Sequence, residues 1–233
     1  MAPEERRLKA TTMPALWSGL LRHRFAFLFF VLLLAIGIQP VLQALAPGLR
    51  LVGPVLALSL GAAVAGAIHE RGFRLLAVLA SGFVVLYVLL GALVGESASP
   101  VQGALWILAS AAATGTTARR AFRRGGVDSE RIFSALTVYV MAGLIFAVGF
   151  CTVERVWPRS FGAPGAVDLD LPGAIYFSFV TIATLGYGDI TPVSEAARGF
   201  AILEAVAGQM YIAVLVARLV GLYTVSEGGV ERG

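Results

Sequence analysis

Long stretches without a single charge constrain this chain more than any other feature. Residues 25–39, 51–68 and 75–95 contain no Asp, Glu, Lys or Arg. Each approaches the ~20 residues that a helix needs to cross a hydrocarbon core of ~30 Å. Lipid offers no partner to backbone N–H and C=O groups, so a spanning segment has to bond its own, as a helix does. Composition agrees: 58% of residues are hydrophobic, 14% are charged and the mean hydropathy is +0.84. A soluble domain lies nearer half apolar and a quarter charged.

The pattern predicts an all-α integral membrane protein with six transmembrane helices. They fall at residues 25–45, 51–68, 73–94, 101–117, 132–153 and 199–222. A secretory signal cleaved after Ala44-Leu45-Ala46 is the rival reading of the first; its apolar run is long and Pro47 follows the site unfavourably. Positive charge sets orientation. Arg6, Arg7, Lys9, Arg22 and Arg24 precede the first segment, Arg71 and Arg74 flank the second turn, and Arg119, Arg120, Arg123, Arg124 and Arg131 fill the connector before the fifth. The alternate loops carry little beyond Arg50. A multi-pass protein of the cell membrane with both termini cytoplasmic follows. The net charge of +4 serves topology on this reading, and no nucleic-acid partner is expected. The domains are a cytoplasmic segment (1–24), a four-helix membrane domain (25–117), a basic linker (118–131), a domain built on the last two segments (132–223) and a short tail (224–233). The tail is expected to be disordered or interfacial.

Between the fifth and sixth segments lies a piece too long for a turn and too short to span twice. Leu171-Pro172-Gly173 opens it, with Pro suited to a first helical turn and Asp170 to the cap before it. The apolar residues 174–183 form a short re-entrant helix and give way to Thr184-Leu185-Gly186-Tyr187-Gly188-Asp189. A potassium ion entering a narrow path must exchange its water for backbone carbonyl oxygens aimed at one axis. Residues in ordinary strand geometry alternate direction, and left-handed positions at alternate residues realign them, which Gly186 and Gly188 permit. Ion-binding oxygens are then expected from Thr184, Leu185, Gly186 and Tyr187, with a further ring from the Thr184 hydroxyl. Tyr187 is expected to point outward and brace the loop. Asp189 stands at the mouth, where it attracts cations and anchors the loop. The C-terminal dipole of the short helix, roughly −0.5 charge, favours a cation below it.

The run 180–192, Val-Thr-Ile-Ala-Thr-Leu-Gly-Tyr-Gly-Asp-Ile-Thr-Pro, closely resembles the pore signature of bacterial tetrameric potassium channels. Gly208 matches the hinge glycine of their inner helix, and Val216-Ala217-Arg218-Leu219-Val220-Gly221 resembles the helix end of small bacterial members. The resemblance covers residues 132–223 and implies a selectivity filter, passive potassium conduction and a homotetramer, since one chain carries one filter strand. The first four segments resemble the sensor half of six-segment channels only in number and topology. Two departures stand out. Leu185 replaces a usual Val or Ile, which leaves its carbonyl in place. Val180 stands where some members carry a glutamate, so a carboxyl pair with Asp189 is absent.

Regulation is sparsely written. Gln209, Ile212, Ala213, Val216 and Val220 share a periodic face of the last helix and are gate candidates with Gly208. A carboxylate at membrane depth is costly and usually partnered. Glu204 is therefore expected to hydrogen-bond the back of the filter or short helix, the alternative being a rim position reaching water. The fourth segment lacks internal arginines, so weak or no voltage dependence is expected. Arg119, Arg120, Arg123 and Arg124 suit anionic lipid as well as a simple topological anchor. No cytosolic nucleotide- or calcium-sensing domain is expected after the sixth segment, so ligand gating would need a separate partner. Cys151 reads as a small apolar residue, and His23 and His69 as headgroup-level residues rather than metal ligands. No enzyme constellation and no cofactor beyond the permeant ion is expected. A cation channel of poor selectivity, a transporter subunit and a non-conducting membrane partner are the competing functions.

Overall fold

A computed structural model describes residues 24–45, 100–122, 129–162 and 169–228. The second and third expected spans, Arg123, Arg124, His23 and His69 lie outside the described residues. The elements are α1 (Arg24–Leu45), α2 (Pro100–Ala121), α3 (Ser129–Val156), β1 (Phe161–Gly162), α4 (Leu171–Ile182), β2 (Thr191–Pro192) and α5 (Glu195–Gly228). Among the described residues three helices are long and apolar enough to cross a membrane, within Phe25–Leu42, Ser129–Val156 and Glu195–Gly221. α2 has the length, but Gln102 and its small Ser, Thr, Gly and Ala residues leave it short of their hydropathy.

Several helix boundaries differ from the sequence expectation. α2 continues through Ala121, which puts Arg119 and Arg120 in its last turn instead of in the linker. Basic residues suit that position because the C-terminal end of a helix carries partial negative charge. α3 starts at Ser129 rather than 132. α5 starts at Glu195 because Ser194 caps it: the Ala197 N–H donates to Ser194 Oγ at 3.2 Å and the Arg198 N–H to the Ser194 carbonyl at 3.0 Å. It runs on to Gly228 since nothing between 222 and 228 breaks a helix, so the part of the tail at 224–228 is helical.

α3 is the hub. Leu32 of α1 and Ala113 of α2 pack with Val140 and Met141 of α3. Trp106 of α2 and Ile175 of α4 meet Leu144, Ala147 and Val148 one layer along. At its far end Phe150 is fully buried among Phe161, Phe177 and Phe200, ring centroids 4.9–5.6 Å away and near perpendicular. That edge-to-face geometry suits the aromatic quadrupoles.

The chain after α3 leaves this end and returns to it. β1 pairs antiparallel with β2, Phe161 opposite Pro192 and Gly162 opposite Thr191. The Val193 and Ser194 N–H groups both donate to the Ser160 carbonyl, at 2.8 and 3.2 Å. Buried Glu154, in the last turn of α3, accepts from the N–H groups of Arg159, Ser160 and Phe161 at 2.7, 2.9 and 3.2 Å. One carboxylate thus fixes the turn on which the exit of the loop is hung.

Candidate functional site

α4 begins as its residues dictate. Asp170 lies in extended backbone and accepts the Gly173 N–H at 2.9 Å, with Pro172 inside the first turn. The helix is apolar and buries Ala174, Ile175, Phe177, Ser178, Val180 and Ile182 against α3 and α5.

Its end sets the geometry of the loop. The Thr184 N–H donates to the Thr181 carbonyl at 2.9 Å, and the Leu185 N–H to the Val180 carbonyl at 2.9 Å. This is the nested pair of a Schellman termination, whose residue after the cap is left-handed and usually Gly. Here that residue is Thr184, at φ 59°. A β-branched residue there is strained, by on the order of 1–3 kcal/mol. Gly186 and Gly188 follow at φ 59° and 81°. Residues 184, 186 and 188 are therefore left-handed, and Leu185 and Tyr187 between them are not. The sequence pointed to the glycines and missed the threonine, because left-handed backbone is rare for its type.

The loop is tied down at both ends. At the mouth, the Tyr176 hydroxyl donates to Asp189 Oδ2 at 2.7 Å and the Ile190 N–H to Oδ1 at 3.0 Å. The phenol's hydrogen bond, aided by that N–H, holds the Asp189 carboxyl below its ordinary range. Tyr176 was missed in the sequence, and no spacing signal marks it. Val180 is buried and acts through its carbonyl, which also lies 3.3 Å from the Gly186 nitrogen. Tyr187 is 67% exposed, and Leu185 also lies on the surface of the single chain. The brace expected of Tyr187 has no counterpart among the described residues of this chain.

At the base, the Tyr139 hydroxyl of α3 donates to the Ile182 carbonyl at 3.0 Å. Tyr211 of α5 stacks on Tyr139, centroids 6.1 Å apart, and donates to the Ala135 carbonyl at 2.7 Å. Gly208 lies in an unbroken stretch of α5, pressed against this corner. A Cβ there would come 2.5 Å from Ile182 Cγ1 and 3.2 Å from the Ile182 carbonyl. Its observed role is close approach. Glu204, one turn earlier, is fully buried and meets the Ser178 hydroxyl of α4. The other gate candidates, Gln209, Ile212, Ala213, Val216 and Val220, are exposed on α5. Arg218 lies over the Phe122 ring, 5.3 Å from its centroid, and Phe122 in turn meets Tyr211 edge-on at 6.0 Å.

Comparison with known proteins picks out the same part of the chain. Residues 133–224, from α3 through most of α5, match a family whose model is described as an ion channel. Over 88 residues the chain is 31% identical to two pore potassium channel c of Oryza sativa subsp. japonica, covering 38% of this chain and 18% of that protein. Over 91 residues it is 30% identical to a potassium channel protein of Rhodopseudomonas palustris, covering 38% and 20%. The chain thus spans about a fifth of the length of these curated relatives. No solved structure matches it.

Proposed function

We propose that this chain is a subunit of a potassium-selective channel in the cell membrane, with Thr184 to Asp189 as its selectivity filter. The observation that carries the reading is the left-handed backbone at Thr184, Gly186 and Gly188, directly after the end of α4. Ordinary strand geometry points successive carbonyls to opposite sides, and a left-handed residue at every second position turns them to one side. The family match over residues 133–224 and the potassium channel names of two relatives support it.

On this reading the carbonyls of Thr184, Leu185, Gly186 and Tyr187 replace the water around a potassium ion. The Thr184 hydroxyl adds a ring of oxygens at the inner end, and Asp189 gathers cations at the mouth. One chain supplies one strand of the ring, so closure takes four copies about one axis. α4 enters the membrane and returns as a re-entrant element, which lipid tolerates because its loop lines water. Both termini and the α2–α3 connector face the cytoplasm, where Arg119, Arg120, Arg123 and Arg124 meet anionic lipid. Ile212, Val216 and Val220 of α5 line the path below the filter and close it by dewetting. No catalytic step or cofactor is involved. α2 carries no arginine before Arg119, so opening depends weakly or not at all on voltage.

Purified chain in liposomes is expected to pass potassium down its gradient and to be blocked by barium; absence of flux would overturn the proposal. Reversal potentials with potassium and sodium on opposite sides distinguish a selective from an unselective cation path. A steep conductance–voltage curve would refute the voltage statement.

A further inference from the structure

Ser178 stands at a junction of three helices behind the loop. It is fully buried on α4, between Gly143 of α3 and Glu204 of α5. Its Oγ lies 2.7 Å from the Gly143 carbonyl oxygen and also within hydrogen-bond distance of Glu204 Oε1. Protons can be counted here. A carbonyl oxygen only accepts, so the hydroxyl gives its single proton to Gly143. What remains on Ser178 Oγ is lone pairs. An ionised carboxylate also offers only lone pairs, and two such atoms do not bond. The contact closes when the carboxyl itself carries a proton and donates it to Ser178.

We propose that Glu204 is held as a neutral carboxylic acid, a positioning residue whose proton locks α5 to α4 and, through Ser178, to α3. Its surroundings fit. Glu204 is fully buried, and Oε2 has no hydrogen-bond partner among the described residues. An ionised oxygen left so would be far costlier than the carbonyl of a neutral acid. Among the described residues, α4 presents Ser178 to it, and α3 presents the Tyr139 phenol, whose own proton is given to Ile182. The lock acts close to the filter. Ser178 lies two residues before Val180, whose carbonyl holds the Leu185 N–H. Removing the proton sets a bare negative charge against the lone pairs of Ser178 and loosens the seat from which the filter starts. Conduction should therefore fall at alkaline pH, a consequence that rests on the channel reading, whereas the proton on Glu204 does not.

Infrared difference spectra of the full chain in liposomes test the assignment. A protonated-carboxyl C=O band is expected at neutral pH and should be lost in Glu204→Gln. That variant keeps a donor toward Ser178, so it should retain potassium flux and shed the alkaline decline. Ser178→Ala, which removes the acceptor, should shift the band of wild type to higher frequency. If Glu204→Gln fails to assemble, the wild-type band and its shift in Ser178→Ala carry the test. Spectra of wild type and Glu204→Gln that coincide in this region, or a band unmoved by Ser178→Ala, would overturn the proposal. A band that behaves as expected in a chain that passes no potassium would uphold the proton and remove the channel reading. Flux without the band would do the reverse.

Discussion

α3 and α5 are both long, apolar helices, yet they relate to the rest of the chain in opposite ways. Within its membrane-crossing stretch α3 is 61% buried and α5 is 11% buried. α3 touches α1, α2, α4 and α5, and it receives hydrogen bonds from Ser178 and Tyr211. α5 is held along one narrow line through Ala197, Glu204 and Gly208, while Ile202, Leu203, Val206 and Met210 are left exposed. The contrast shows that α3 is a scaffold completed within one chain. α5 is a surface that one chain leaves unfinished, as expected if neighbouring copies, lipid and a pore cover its other sides.

That contrast can be broken from the side of the proposed filter first. Gly186→Ala or Gly188→Ala places a Cβ on left-handed backbone at φ 59° or 81°. Each costs roughly 1–2 kcal/mol per subunit, repeated in every copy of the proposed ring. Potassium flux should fall to background with helix content unchanged by circular dichroism; retained flux would separate conduction from the left-handed alternation.

Gly208→Val comes next, because it attacks the line on which α5 is held. Its Cβ would press on Ile182, whose carbonyl serves Tyr139. Oligomer should be lost on size-exclusion chromatography in detergent, with Gly208→Ala intermediate. An oligomer that stays intact with the valine in place would show that this seam tolerates separation.

Glu154→Ala sharpens the comparison from the α3 side. It removes the acceptor of three backbone N–H groups. Hydrogen bonds to a charged group are among the stronger ones, and the loss should be roughly 2–4 kcal/mol, read as a lower Tm. Because the turn lies on α3, oligomer should persist at low temperature.

The smallest effect belongs to the exposed clasp between Tyr176 and Asp189. The hydrogen bond lowers the Asp189 carboxyl below its unfolded value. Its stabilisation is therefore present above the ordinary carboxylate range and fades as pH falls through the lowered value. Tyr176→Phe removes the offset, so the acid-side decline of flux should begin at a higher pH than in wild type. Coincident acid limbs would show that the clasp does not support the filter.

Local chemistry made much of this legible. Asp170, Pro172 and the two glycines act within a few residues of themselves, and the structure puts an N-cap, a first turn and left-handed backbone at those positions. Thr184 was not legible as left-handed, since its type argues against it and the Schellman bonds at the end of α4 override that preference. Glu154 gave no signal either; its partners are its neighbours' N–H groups, and any loop offers those. Gly208 reads in sequence as a bend in the inner helix. What presses on it is Ile182, a residue that only packing brings near.

By itself, then, the sequence determined that the chain seeks lipid and, to within a few residues, where the described helices lie. It also determined that one short run can turn its carbonyls to a common side. These follow from hydrophobic run length and from the steric freedom of single residues, which need no distant partner. The tertiary structure decided how that run is held. Tyr176 reaches Asp189, Tyr139 reaches Ile182, and Ser178 stands between Gly143 and Glu204. Such pairings cannot be read along the chain, because side chains far apart in sequence become neighbours only when the helices choose their faces.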